Sequence, residues 1–207
     1  MIDFLLHFDT LLTSIIQQYG VWAYVFVFVV IFCETGLVIT PFLPGDSLLF
    51  IMGTLTAAKL LDLPLALAIV AVAGILGDTV NYHVGRTIGP KIFHSDTNRF
   101  LNKKHLVQTQ KFYDTYGPKT IIFARFIPII RTFAPFVAGI GKMEYKKFLT
   151  WNVIGGLIWT FFFILTGYFF GNIPFIKKNI TLVVLGIIIL SVIPPAIEYL
   201  RSRRENS

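Results

Sequence analysis

The chain has 207 residues, of which 55% are hydrophobic and 15% aromatic, while only 14% are charged. Soluble domains carry about 25% charged residues, so this composition, with a mean hydropathy of +0.73, excludes an ordinary soluble enzyme. It indicates one integral membrane domain covering residues 1–207. The net charge of +7 does not indicate a nucleic-acid partner, because the basic residues flank apolar runs in the manner that sets membrane orientation. Cys33 stands alone, which rules out a disulfide framework and a cysteine-based metal site. The opening M-I-D-F lacks a positive region, so no signal peptide is expected.

Residues 1–19 alternate polar and apolar positions with helical period, with Asp3, His7, Thr10, Ser14 and Gln17 on one side. They predict an interfacial amphipathic helix, on which His7 is simply a polar-face residue. The apolar, aromatic run Val21–Phe32 leads into C-E-T-G-L-V-I-T-P-F-L-P-G-D-S-L-L-F. There Glu34 and Asp46 lie in an apolar stretch broken by Pro41, Pro44 and Gly45. Leu60–Val84 reads as the next span, interrupted by Gly74, Gly77, Asp78 and Asn81.

Residues 86–119 are polar and basic and predict a cytoplasmic segment with an amphipathic helix over 98–116. Then comes A-R-F-I-P-I-I-R-T-F-A-P-F-V-A-G-I-G, residues 124–141, which is apolar yet carries Arg125 and Arg131. An arginine near the bilayer midplane costs about 2.5–3.5 kcal/mol even on the gentler scale. Pro128 and Pro135 each remove a backbone donor and oppose a straight helix. The reading is therefore a broken, re-entrant segment, since irregular backbone at membrane depth is tolerated where protein buries it or a cavity adjoins it. Phe148–Phe170 and Ile180–Leu200 read as two further spans.

Segment 86–119 holds Arg86, Lys91, Arg99, Lys103, Lys104, Lys111 and Lys119, and the tail holds Arg201, Arg203 and Arg204. Both are expected in the cytoplasm, as are both termini. The short loop with Lys142, Lys146 and Lys147 is basic too, so residues 124–141 enter and leave from that side. By the same parity residues 37–58 form a hairpin from the opposite face. Gly74, Gly85 and Gly89 recur in spacing as Gly156, Gly167 and Gly171. The expected fold is all-α and polytopic, with two oppositely oriented re-entrant helical hairpins in an inverted repeat, the design in which many transporters build midplane sites.

The four charges admit a structural alternative, in which two ion pairs merely pin the hairpins. Buried pairs are poor stabilisers, however, because desolvation offsets attraction. The functional reading assigns Arg125 and Arg131 to a phosphate, whose oxygens match the planar guanidinium fork. Glu34 and Asp46, as carboxylates in an apolar site able to carry a proton at neutral pH, would compete for the arginines when ionised and release them when protonated. Asp78 either joins this site or bonds to a neighbouring helix. Gly74, Gly77, Asn81 and Gly85 suggest a close helix-packing face, and His83 an interfacial residue. No H-E-x-x-H, nucleophile elbow or glycine-rich phosphate loop is present, so no enzyme activity, metal or cofactor is expected.

The two charged stretches, together with G-D-T-V-N-Y, W-N-V-I-G-G and G-Y-F-F-G-x-I-P, resemble the DedA family (VTT domain) over nearly the whole chain. The resemblance implies a bacterial inner-membrane protein with opposed re-entrant hairpins, related to lipid scramblases. It implies undecaprenyl phosphate recycling and proton dependence, with Glu34 and Asp46 as the family's acidic positions and Arg125 and Arg131 as its arginines. Many relatives have glutamate where Asp46 stands. The expected function is a proton-coupled flippase for undecaprenyl phosphate, with the bilayer and protons as partners and a homo-oligomer compatible with the reading. The alternatives are a phospholipid flippase or scramblase, and a non-transporting structural or assembly protein.

Overall fold

The computed structural model describes residues 20–37, 45–93, 117, 119–171 and 173. The expected helices at 1–19, 98–116 and 180–200, and the positions of Pro41 and Pro44, lie outside the described residues. Within them the chain forms α1 (Trp22–Gly36), α2 (Gly45–Ala57), α3 (Leu63–Phe93), α4 (Thr120–Ala124), α5 (Pro128–Ile140) and α6 (Tyr145–Phe170). Among the described residues the architecture is entirely helical.

Among the described residues, two helices are long and apolar enough to cross a membrane, over Leu63–Ile88 and Tyr145–Phe170, each of 26 residues. At about 1.5 Å per residue, each exceeds a hydrocarbon core of about 30 Å. Their outward faces remain apolar, with Val72, Leu76, Val80, Leu157 and Phe161 exposed. Such a surface suits lipid. The start of α3 is set by Asp62, whose Oδ1 accepts the Leu65 N–H at 2.9 Å, an N-cap contact. The Tyr24 hydroxyl accepts the Asp62 N–H at 2.7 Å and so ties α1 to that cap.

α3 runs well past Val84, where the sequence reading ended the span. Arg86 continues the helix because its Nη1 donates to the Tyr82 hydroxyl one turn back, at 2.9 Å. α5 also departs from expectation. Pro128 occupies the first turn, where a missing N–H costs nothing, but Pro135 lies inside the helix and does not break it. Protein packing around the buried Pro135 supports an otherwise poor helical position. Gly45 is likewise helical, within α2.

The chain divides into two compact units, and α1, α3 and α6 contribute to both. The first contains the described parts of Met1–Ile31, Leu43–Ala73 and Thr160–Ser207, and the second those of Phe32–Phe42 and Gly74–Trp159. In the first, α2 and α6 touch backbone to backbone. A Cβ on Gly53 would overlap the Ile164 carbonyl oxygen, and one on Gly167 the Phe50 carbonyl oxygen. In the second, α3 and α5 meet in the same reciprocal way. A Cβ on Gly85 would overlap the Phe136 carbonyl oxygen, and one on Gly139 that of Tyr82. In all four cases the oxygen belongs to the residue three before the opposing glycine. Small residues of this kind let membrane helices approach closely.

α2 and α5 also end alike. Lys59 (φ 60°) and Lys142 (φ 54°) adopt the left-handed conformation. Leu60 then donates to the Leu55 carbonyl, and Met143 to the Ala138 carbonyl, each at 3.0 Å. These are Schellman-type ends, where a lysine also complements the negative helix terminus. The tight contact at Gly139 has a measurable consequence. Replacement by leucine forces α5 from α3 and is expected to cost about 1–3 kcal/mol. Thermal melts of purified protein should show a midpoint lower by about 3–10 °C, whereas Val72→Leu, at an exposed apolar position of α3, should change it far less.

Candidate charged site in the second unit

The site is assembled from a break in the helix that carries both arginines. After α4 the Arg125, Phe126 and Ile127 amides bond three residues back, to Ile122, Phe123 and Ala124. Ile127 is then extended (φ −118°, ψ 107°), and Pro128 begins α5. Arg125 therefore stands at the end of one helix and Arg131 in the opening part of the next.

Both arginines point inward and find acidic partners. Arg125 Nη2 donates to Asp78 Oδ2 on α3, and to Asn152 Oδ1 on α6 at 2.5 Å. Arg131 Nη2 donates to Glu34 Oε1, near the end of α1. All four charged side chains are at most 2% exposed. Asn152 is held in turn, since its Nδ2 donates to the Ile75 carbonyl at 3.1 Å. Asn81 Nδ2 bridges the Thr35 and Thr132 carbonyls at 3.0 and 2.7 Å, joining the residues beside Glu34 and Arg131. Trp159 lies against both cations, with the Arg125 and Arg131 Cζ atoms 6.0 and 5.0 Å from its ring centroid.

Glycines make room for this bulk. A Cβ on Gly74 would lie 3.5 Å from Arg125 Nη1, one on Gly155 3.2 Å from its Cδ, and one on Gly156 3.4 Å from its Nη2. Arg125 is thus boxed in, yet its Nε and Nη1, which carry three N–H hydrogens, have no hydrogen-bond partner among the described residues. Asp78 Oδ1 and Asn81 Oδ1 are in the same position. Unpaired buried donors are costly, and their presence here suits an anion. Among the described residues no group of three His, Cys, Asp or Glu could hold a metal ion.

Residues 43–169 of the chain match a family model described as the VTT domain. The chain is 48% identical to Protein DedA of Escherichia coli K12, over 99% of this chain and 94% of that one. The chain belongs to the DedA family. It is also 39% identical to an uncharacterized membrane protein of Mycobacterium leprae, over 86% of this chain and 80% of that one. It is 31% identical to the inner membrane protein YqjA of Escherichia coli K12, over 75% and 70%. No solved structure matches it.

Within this DedA-family chain the structure brings Glu34, Asp78, Arg125 and Arg131 into the second unit. Asp46, buried in the first turn of α2, belongs to the first unit. Asp78 is the carboxylate on Arg125. His83, by contrast, is exposed, with its Nδ1 2.7 Å from the Thr79 carbonyl oxygen and its ring against Tyr82 and Tyr145. Asn152 and Trp159 were not marked by sequence reasoning. Their available signal was position, because N-V-I-G-G-L-I-W places Asn152, Gly155, Gly156 and Trp159 at spacings of three and four, on one helical face.

Asp78 gives a direct test of the pair. Removing one member of a buried ion pair costs about 3–5 kcal/mol, because the other charge is left uncompensated. Asp78→Ala should therefore lower thermal stability severely. Asp78→Ala with Arg125→Leu should recover most of that loss, and a double-mutant cycle on thermal melts checks it.

Proposed function

We propose that this DedA-family chain moves a lipid phosphate across the bacterial cytoplasmic membrane in a proton-coupled manner, and that its substrate is undecaprenyl phosphate. The observation that carries the reading is the buried Arg125 fork, with three N–H hydrogens lacking partners among the described residues. Arg131 stands against the same tryptophan. A phosphomonoester head, with up to two charges, suits two arginines, while a polyprenyl tail can stay in lipid as the head crosses. The polyprenyl assignment rests on the family resemblance, and the phosphate on the arginine geometry.

Charge balance supports the proton coupling. With Glu34 and Asp78 ionised, the two pairs sum to zero. A phosphate dianion enters without leaving net buried charge only if two protons enter too. Protonating a carboxylate also frees the arginine N–H that it had occupied.

The membrane arrangement in this proposal has α2 and α5 as returning limbs of two re-entrant hairpins related by an inverted repeat. The matching glycine contacts of Gly53 with Gly167 and Gly139 with Gly85, and the matching lysine ends, support it. The inner-membrane location accords with the name of the YqjA relative.

Purified protein in liposomes, with undecaprenyl phosphate in one leaflet, tests the reading. We expect its appearance in the other leaflet to accelerate with a pH gradient. Arg131→Lys, which keeps charge but loses the fork, should slow it by about tenfold or more, on the order of 1.4 kcal/mol. Movement of many phospholipids regardless of pH would indicate a scramblase. No movement by folded protein would indicate an assembly role.

A further inference from the structure

The two arginines of the site carry like charge, sit in an apolar interior and must both present N–H edges to one anion. Their carboxylate partners do not solve this problem, because a carboxylate occupies the N–H groups that a phosphate needs. Trp159 does. An aromatic face attracts a guanidinium through its quadrupole and leaves the in-plane N–H edges available.

We infer that Trp159 is a positioning residue that holds the Arg125 and Arg131 forks for a single phosphate group, an inference that rests on the lipid-phosphate reading above. Trp159 is fully buried, and both guanidinium carbons lie within 6.0 Å of its ring centroid. Gly74 lies beside both groups, since a Cβ there would be in van der Waals contact with Trp159 Cζ3 at 3.6 Å and with Arg125 Nη1 at 3.5 Å. When a carboxylate is protonated and releases its arginine, the ring keeps that cation in place without competing for hydrogen bonds. The indole has only two side-chain torsions, so it fixes both forks at small entropic cost.

The test uses the full chain in nanodiscs and farnesyl phosphate, a soluble polyprenyl phosphate, as the probe. The chain has three tryptophans, of which Trp22 is 66% exposed and Trp151 packs beside the Tyr82–Phe148 cluster. Trp22→Phe with Trp151→Phe leaves Trp159 as the sole emitter. Farnesyl phosphate should change that emission saturably, and farnesol, which lacks the phosphate, should not. With radiolabelled farnesyl phosphate, Trp159→Leu should bind about tenfold more weakly, and Trp159→Phe, which keeps an aromatic face, within about threefold of the parent. Equal binding by Trp159→Leu, or binding without any emission change, would overturn the role of Trp159 and leave the lipid-phosphate reading standing. If the parent protein binds no farnesyl phosphate, that reading fails and this inference fails with it.

Discussion

A charge removed from water must bring its counter-charge with it, and the second unit is arranged around that constraint. Arg125 and Arg131 remain ionised in any protein setting, so neither can be buried alone. Asp78 on α3 and Glu34 on α1 supply the balance. Asn152 and Asn81 then add hydrogen bonds that tie four helices to the pairs. Leucines would fill the same volume without desolvation penalty. On the proposed function, the polar cluster serves an anion rather than the stability of the fold.

Close helix approach is the second requirement, and glycine provides it. Gly155 admits the Arg125 side chain beside α6, where a Cβ would lie 3.2 Å from its Cδ, and Gly156 and Gly74 lie at van der Waals distance from its two terminal nitrogens. Gly74 and Gly156 are equivalent members of the glycine repeat in the sequence, and they flank opposite nitrogens of one guanidinium. Gly85 and Gly167, the next equivalent pair, each rest on a carbonyl three residues before another glycine. A single spacing thus serves two purposes: one pair houses a charge and the next sets a backbone contact.

Much of this was legible in the sequence, and the remainder was hidden for definite reasons. Long apolar runs marked α3 and α6, and the arginines marked the site, because charge in an apolar segment demands an explanation. The partner of Arg125 was not legible, because Asp78 and Asp46 are equally acidic and only three-dimensional proximity separates them. Pro135 misled because proline is judged by local backbone cost, whereas α5 is sustained by tertiary packing around it. The ends of α2 and α5 were obscured because lysine stands where glycine is the usual left-handed residue. Asn152 and Trp159 were invisible as site residues because an asparagine and a tryptophan in an apolar helix are ordinary until a guanidinium is found beside them.

Helix electrostatics gives a last reason to regard the site as built for an anion. Arg131 lies in the opening part of α5 and Glu34 near the close of α1, each at the end that its own charge disfavours by about 0.3–1 kcal/mol. Exchanging the two charges would relieve both. Asp46, by contrast, stands in the first turn of α2, where a negative charge is favoured. A sequence shaped for stability alone would place an acid at the start of α5 as well. An arginine there adds a guanidinium fork to the positive end of a helix, and the two together favour a phosphate more than either does alone. On the proposed reading, the arrangement that is unfavourable for an empty helix end becomes favourable once an anion binds.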